Sequence, residues 1–218
     1  DFNASLRYVP HDLTITAPKA KTLGAMGHNI ETHIEGLDLD DIAVRVSAQV
    51  EADAQQAQGY LLASPLARHI GLDDFLAHQV QLSGPVKVNL ANIRIPVNGF
   101  DDQTETVTGS VDFNGVSVRL FERLHWQNFQ GQLTFTEKSI AAKALEAQWG
   151  VSPVSVAIAT QPKTIDVEIQ GEHDVTLPDV EGWVPWHTTL RIPFDQKAGT
   201  ARLDKDDASV RMVGQADL

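Results

Sequence analysis

Cysteine is absent from this 218-residue chain, which removes disulfides, thiolate nucleophiles and cysteine-based zinc sites. Its absence does not assign a compartment, because oxidising and reducing spaces tolerate it equally. Basic residues are few: 17 Lys and Arg stand against 29 Asp and Glu, a formal charge of −12. The acids are not gathered into a tail, since residues 1–109 hold 14 acids and 7 bases and the remainder holds 15 and 10. With no basic face to neutralise phosphates, nucleic-acid binding is excluded as an expectation. No apolar run approaches the ~18 residues of a membrane span, and no signal peptide is visible. Opening at Asp1 without Met and stopping at Leu218 in a strand-like pattern, the chain reads as a piece of something longer.

What is present is ordinary globular composition, 42% hydrophobic and 21% charged, incompatible with disorder. The dominant period is two. Ile30, Thr32 and Ile34 alternate with Glu31, His33 and Glu35; Val44, Val46, Ala48 and Val50 alternate with Arg45, Ser47 and Gln49. Such alternation marks strands with one dry and one wet face.

The middle of the chain reads as a run of hairpins. Asn114-Gly115 is a strong two-residue turn signal and predicts Phe113 opposite Val116 and Val111 opposite Val118. A turn at Glu137-Lys138 pairs Phe135 with Ile140 and Leu133 with Ala142, and the phase then slips near Ala144 to Leu145, Ala147 and Trp149, a bulge signature. Around Gln161-Pro162, Ile158, Val156 and Val154 face Ile165, Val167 and Ile169. The three hairpins share one dry side, which makes a meander.

Helix is scarce. Ala52–Ala63 suits one short helix; Ser64-Pro65 caps a second containing Leu66 and Ile70; Asp73 or Asp74 caps a last turn through Phe75 and Leu76. A faint echo links Gly84-Pro85-Val86 and Ile93-Arg94-Ile95-Pro96 with Gly182-Trp183-Val184 and Leu190-Arg191-Ile192-Pro193, as repeated sheet modules would.

Chemistry is thin. Of eight histidines, His28 and His33 lie five apart on a strand, hence on opposite faces, and the other six are isolated. The acidic pairs Asp40-Asp41, Asp73-Asp74, Asp101-Asp102 and Asp206-Asp207 fit turns and caps. Phosphate loops, nucleophile elbows and metalloprotease helices are missing. No catalytic residue, metal ligand or cofactor site is expected. The aromatics Trp126, Phe129, Phe135, Trp149, Trp183 and Trp186 cluster in or beside the hairpins. They suit either a packed sandwich core or an open curved sheet whose dry face lines a groove for acyl chains.

Between Leu61 and Asp174 the order of elements resembles the AsmA-like superfamily of Gram-negative envelope proteins, in particular the YhdP family. Leu62-Ala63-Ser64-Pro65-Leu66 is followed by Gly84-Pro85-Val86-Lys87-Val88 and the Ile-Arg-Ile-Pro strand, then by Val107-Thr108-Gly109-Ser110-Val111-Asp112-Phe113. Next stand Phe129-Gln130-Gly131-Gln132-Leu133-Thr134-Phe135, Ala144-Leu145-Glu146-Ala147-Gln148-Trp149-Gly150 and Pro153-Val154-Ser155-Val156-Ala157-Ile158. The resemblance implies a non-enzymatic bridge. A transmembrane helix outside this chain would anchor it in the inner membrane. A periplasmic body would carry phospholipid along an apolar groove towards the outer membrane or its proteins. The family offers no catalytic motif to carry over.

The expected fold is mainly β, a curved antiparallel sheet meander with one or two short helices and an open groove. Its expected divisions are residues 1–82, strands with a helical cover at about 52–79; residues 83–181, the hairpin meander; and residues 182–218, the start of a further, truncated module. The acyl-chain surface is assigned to Val107, Val111, Phe113, Val116, Val118, Leu133, Phe135, Ile140, Val154, Val156, Ile158, Ile165, Val167 and Ile169. The rival readings are a structural or carbohydrate-binding β-sandwich of the cell envelope and a hydrolase whose residues converge only in space.

Overall fold

A computed structural model describes residues 3–22, 24–39, 41–63, 73–97, 105–120, 124–177, 180–193 and 211–213. Among these residues thirteen strands form a single sheet. They are β1 (Asn3–Val9), β2 (Asp12–Thr22), β3 (Ala25–Glu35), β4 (Ala43–Asp53), β5 (Val80–Ser83), β6 (Pro85–Pro96) and β7 (Thr106–Leu120). The rest are β8 (Leu124–Thr136), β9 (Ile140–Trp149), β10 (Ser152–Thr160), β11 (Thr164–Leu177), β12 (Val180–Pro193) and β13 (Arg211–Val213). Among the described residues two helices, α1 (Ala54–Ala63) and α2 (Asp73–Gln79), interrupt the run between β4 and β5.

Every strand pairs antiparallel with its neighbour, in the order β1-β2-β3-β4-β6-β7-β8-β9-β10-β11-β12-β13, and β5 lies beside β7. The β1 and β13 ends do not meet, so the sheet is open. β5 and β6 run in line along β7: Val80 to Ser83 pair with Leu120 to Ser117, and Val86 to Arg94 with Phe113 to Thr106. Gly84 separates them at φ +114°, where a Cβ would stand 3.2 Å from the Cα of Val116. That close approach is why a glycine breaks the line there.

No second sheet faces this one among the described residues, yet Val116 and Leu145 are 0% exposed. A single layer buries side chains that completely only by curling its apolar face inward and gaining cover from the helices. The curl has local causes. Register shifts mark bulges in β3, β7 and β8, and Asn29, Gly115 and Asn128 adopt positive φ at or beside them. A bulge adds twist and bends the strand, and asparagine and glycine are the residues that accept left-handed backbone at least cost.

Three expectations change. Asn114-Gly115 is not a hairpin turn; it lies inside β7, where Phe113 pairs with Gly131 and Val116 with Phe129. The left-handed glycine serves a bulge instead, because Val118 to Leu120 gain partners on β5 and β8 at once. His28 and His33 share the wet face, since the bulge at Asn29 shifts the register between them and sets them opposite Gln49 and Arg45. The third change is at residues 73–79, which form a full short helix of seven residues, not one turn. The second expected helix, from Ser64-Pro65 through Leu66 and Ile70, falls outside the described residues.

Elsewhere the pattern was a sound guide. Phe135 pairs with Ile140 across the Glu137-Lys138 turn. The slip near Ala144 is a bulge: Leu145 stands opposite Val156, while Ala142 stands opposite Ile158. The next hairpin keeps the same apolar residues on one face but in a register two residues away from the expected one: Ile158 opposes Val167 and not Ile165, and Val156 opposes Ile169 and not Val167, because Thr160 pairs with Ile165 and the turn is longer than Gln161-Pro162.

Candidate functional site

Cross-strand register assembles one apolar face from nearly every strand. Leu6, Ile15, Thr32, Val46, Ile93 and Val107 form a continuous row from β1 to β7. Tyr8, Leu13, Ile34, Val44 and Ile95 form a second. Val50, Val88, Val111 and Leu133 form a third from β4 through β6 and β7 to β8. Beyond them Leu145, Val156 and Ile169 align across β9, β10 and β11, and Ile158, Val167 and Leu190 across β10, β11 and β12. Strand side chains alternate with period two, so each sequence alternation delivers its apolar half to this side.

The residues assigned from sequence all lie on this face. Val107, Val116, Val118, Val154, Val156, Ile165, Val167 and Ile169 are buried. Val111, Phe113, Leu133, Phe135, Ile140 and Ile158 are half-buried. All except Val107 and Phe135 belong to one contiguous apolar cluster, which Phe135 adjoins through its partner Ile140, while Val107 pairs with the buried Ile93. The face is therefore graded. It is sealed around Val116, Leu145 and Val156, partly open along Val111 and Leu133, and open at β1, where Leu6 is 67% and Tyr8 59% exposed.

The helices cover the sealed part. Ala54, Ala57 and Leu61 of α1 and Phe75 and Leu76 of α2 pack into the cluster with Val80, Val86 and Trp126. Asp53 holds the junction, accepting from Gln55 N–H at 2.9 Å as a helix cap and from Gly84 N–H at 3.1 Å. Phe113 and Phe129 meet edge to face with centroids 5.7 Å apart, and Trp126 lies 6.3 Å from Phe129. The Trp126 indole N–H is buried with no acceptor among the described residues.

Sequence reasoning missed the β2 to β6 part of the face: Leu13, Ile15, Ile34, Val44, Val46, Ile93 and Ile95. Their signal was the same alternation. What was missing was the pairing of β4 with β6 across the helical insertion, which no local pattern announces.

The opposite face is polar. Arg45 and Arg94, directly opposite each other, share Glu35 at 3.1 and 3.6 Å. His33 lies 2.7 Å from Glu31. Lys87, hydrogen-bonded at 3.0 Å, holds the exposed Glu51 carboxyl below the usual carboxylate range, helped by the nearby His28 and Lys19. Among the described residues no three His, Asp or Glu gather as metal ligands, and no helix is long and apolar enough to cross a membrane.

The family model described as YhdP protein matches residues 1–214. No curated protein and no solved structure matches the chain. The family match takes in the whole β1 to β13 sheet and agrees with the resemblance drawn from the strand order, and the chain belongs to the YhdP protein family.

Proposed function

We propose that this chain is a periplasmic section of an inner-membrane-anchored envelope protein that carries phospholipid towards the outer membrane, with acyl chains lying on the apolar face. The observation that carries the reading is the continuity of that face: rows of mostly aliphatic side chains cross the sheet from β1 to β7 and from β4 to β8 without a charged residue. Membership of the YhdP family supports it.

Such a surface suits transport better than capture. Burial of each CH2 is worth about 0.8 kcal/mol, summed over many equivalent contacts with no directional bond to break. A chain can then move along the rows without a deep local minimum. The role is conduction, not catalysis. Carbohydrate binding would call for aromatic platforms on the wet face, but Phe113, Trp126, Phe129 and Phe135 belong to the apolar side.

Native mass spectrometry of the gently purified protein tests the reading. Bound phospholipid, displaced by competing long-chain lipid, is the expected result. A protein that stays lipid-free after incubation with phospholipid vesicles would overturn it.

A further inference from the structure

Asn114-Gly115 serves neither a hairpin turn nor the apolar face. Both residues are exposed, and they lie where the ladders flanking β7 are interrupted. On one side the pairing with β6 reaches Phe113 and the pairing with β5 resumes only at Ser117. On the other side β8 pairs with Asn114 and Val116 and skips Gly115. Gly115 thus has a strand partner on neither side, and it stands at φ +78°. A Cβ added there would meet only Asn128 Oδ1, at 3.9 Å, so its surroundings are open. The Asn114 carboxamide has no hydrogen-bond partner among the described residues.

A carboxamide directly ahead of a backbone amide is placed to cyclise onto it. The Gly115 nitrogen gives its proton to water and attacks Asn114 Cγ. A five-membered succinimide closes as the Cγ–Nδ2 bond breaks and ammonia leaves. Water then adds to either ring carbonyl and opens the ring to aspartate or isoaspartate. Water is the sole co-reactant, and nothing is oxidised or reduced. Two obstacles slow this chemistry in a folded chain: a side chain shielding the attacked nitrogen's residue, and strand pairing that fixes the backbone. Glycine removes the first, and the unpaired bulge position removes the second.

Other asparagines keep the obstacles. Asn128 is also exposed and left-handed, at φ +54°, but its Nδ2 donates to Gln148 Oε1 at 3.3 Å, and the buried Phe129 follows it. Asn89 is paired on both sides, with Gln49 and Ser110, and precedes Leu90.

We propose that Asn114-Gly115 is a self-modification site, at which the folded protein converts an amide to a carboxylate without an enzyme. The product carries an added negative charge on the wet face, opposite Gln130 and two residues from Asp112. Its isoaspartyl form also has an extra main-chain carbon between Phe113 and Val116, which is 0% exposed. The change therefore reaches the apolar cluster through the backbone of β7.

Incubation of the whole chain in mildly alkaline buffer at body temperature, followed by tryptic digestion and fragment-ion mass spectrometry, tests the site. Asn98 also precedes a glycine and lies outside the described residues; it shares the tryptic peptide 95–119 with Asn114, and fragment ions tell the two apart. In the folded protein Asn114 should convert about tenfold faster than Asn128 and Asn89, a barrier difference of about 1.4 kcal/mol. Conversion of Asn114 no faster than that of Asn128 overturns the site. Conversion that appears only after unfolding in urea overturns it too, because the sheet would then hold Gly115 as firmly as a paired residue.

Discussion

Gly109 on β7 stands directly opposite Phe135 on β8, and the Phe135 ring occupies the space where a glycine side chain is missing. A Cβ added at Gly109 would collide with that ring and come within 2.6 Å of Asn89 O on β6. The glycine is thus fixed by both neighbours: the ring covers one side of its backbone, and the β6 strand approaches at the other. Gly109→Ala should destabilise the protein by about 1–3 kcal/mol, the usual cost of overpacking, read from the urea midpoint. A variant as stable as wild type would show that β6 and the ring can move aside.

The sealed part of the apolar face should behave as a core and not as a lipid path. Leu145 and Val156 stand opposite each other and are 0% and 1% exposed. Leu145→Ala should cost about 2–5 kcal/mol, and Val156→Asp should prevent folding, because no partner is available for the buried charge. Thermal melting followed by circular dichroism gives both answers. A folded Val156→Asp protein with near-normal stability would mean that this region is open to water.

How much of this was legible in the sequence depended on range. Alternation gave the dry face of each strand, and the slip after Ala142 disclosed the β9 bulge because both phases are written in apolar residues. Asn114-Gly115 misled because a left-handed glycine serves a bulge as well as a turn, and only the simultaneous pairing of β7 with β5 and β8 decides between them. His28 and His33 were separated by counting residues across Asn29, whose bulge changes the count. The continuation of the dry face from β4 to β6 was invisible, since the two strands pair only across the intervening helices.

Trp126 is 2% exposed, and its N–H lacks an acceptor among the described residues. An unsatisfied buried donor carries a desolvation cost of about 1–3 kcal/mol. Trp126→Phe removes that donor along with some apolar area, so the two effects oppose each other and the net change should stay within about 1 kcal/mol. Trp126→Ala lacks the compensation and should lose about 3–5 kcal/mol. Equal losses for the two variants in urea denaturation would indicate that the N–H is satisfied in solution.

The Glu51–Lys87 pair gives a pH signature. The Glu51 carboxyl titrates below the ordinary range when folded, chiefly through its hydrogen bond and charge interaction with Lys87. A depressed carboxyl favours the folded state above its unfolded pKa, and that contribution disappears as pH falls through the folded value. Lys87→Met should move the Glu51 midpoint upwards in a carbon-detected NMR titration. The stability difference between wild type and variant should then fade on the acid side of the wild-type midpoint. An unmoved Glu51 midpoint would assign the shift to other groups.

Val111 lies in the partly open row, between Val88 and Leu133, and is the position at which transport and folding can be separated. It is half-buried, so an aspartate there can keep its carboxylate hydrated when no lipid is present. An acyl chain crossing the row would have to strip that water from an unpaired charge, at a cost of several kcal/mol. Val111→Asp should therefore fold, melt within a few degrees of wild type and accumulate normally. The full-length parent carrying it should fail to maintain the outer-membrane barrier, scored by sensitivity to detergent and large antibiotics. Val111→Leu keeps the row apolar and should be nearly silent. Thr108→Asp, on the wet face opposite Asn92 and Thr136, supplies the same charge outside the path and should also be silent. If Val111→Asp accumulates normally and the barrier stays intact, acyl chains do not pass along this row.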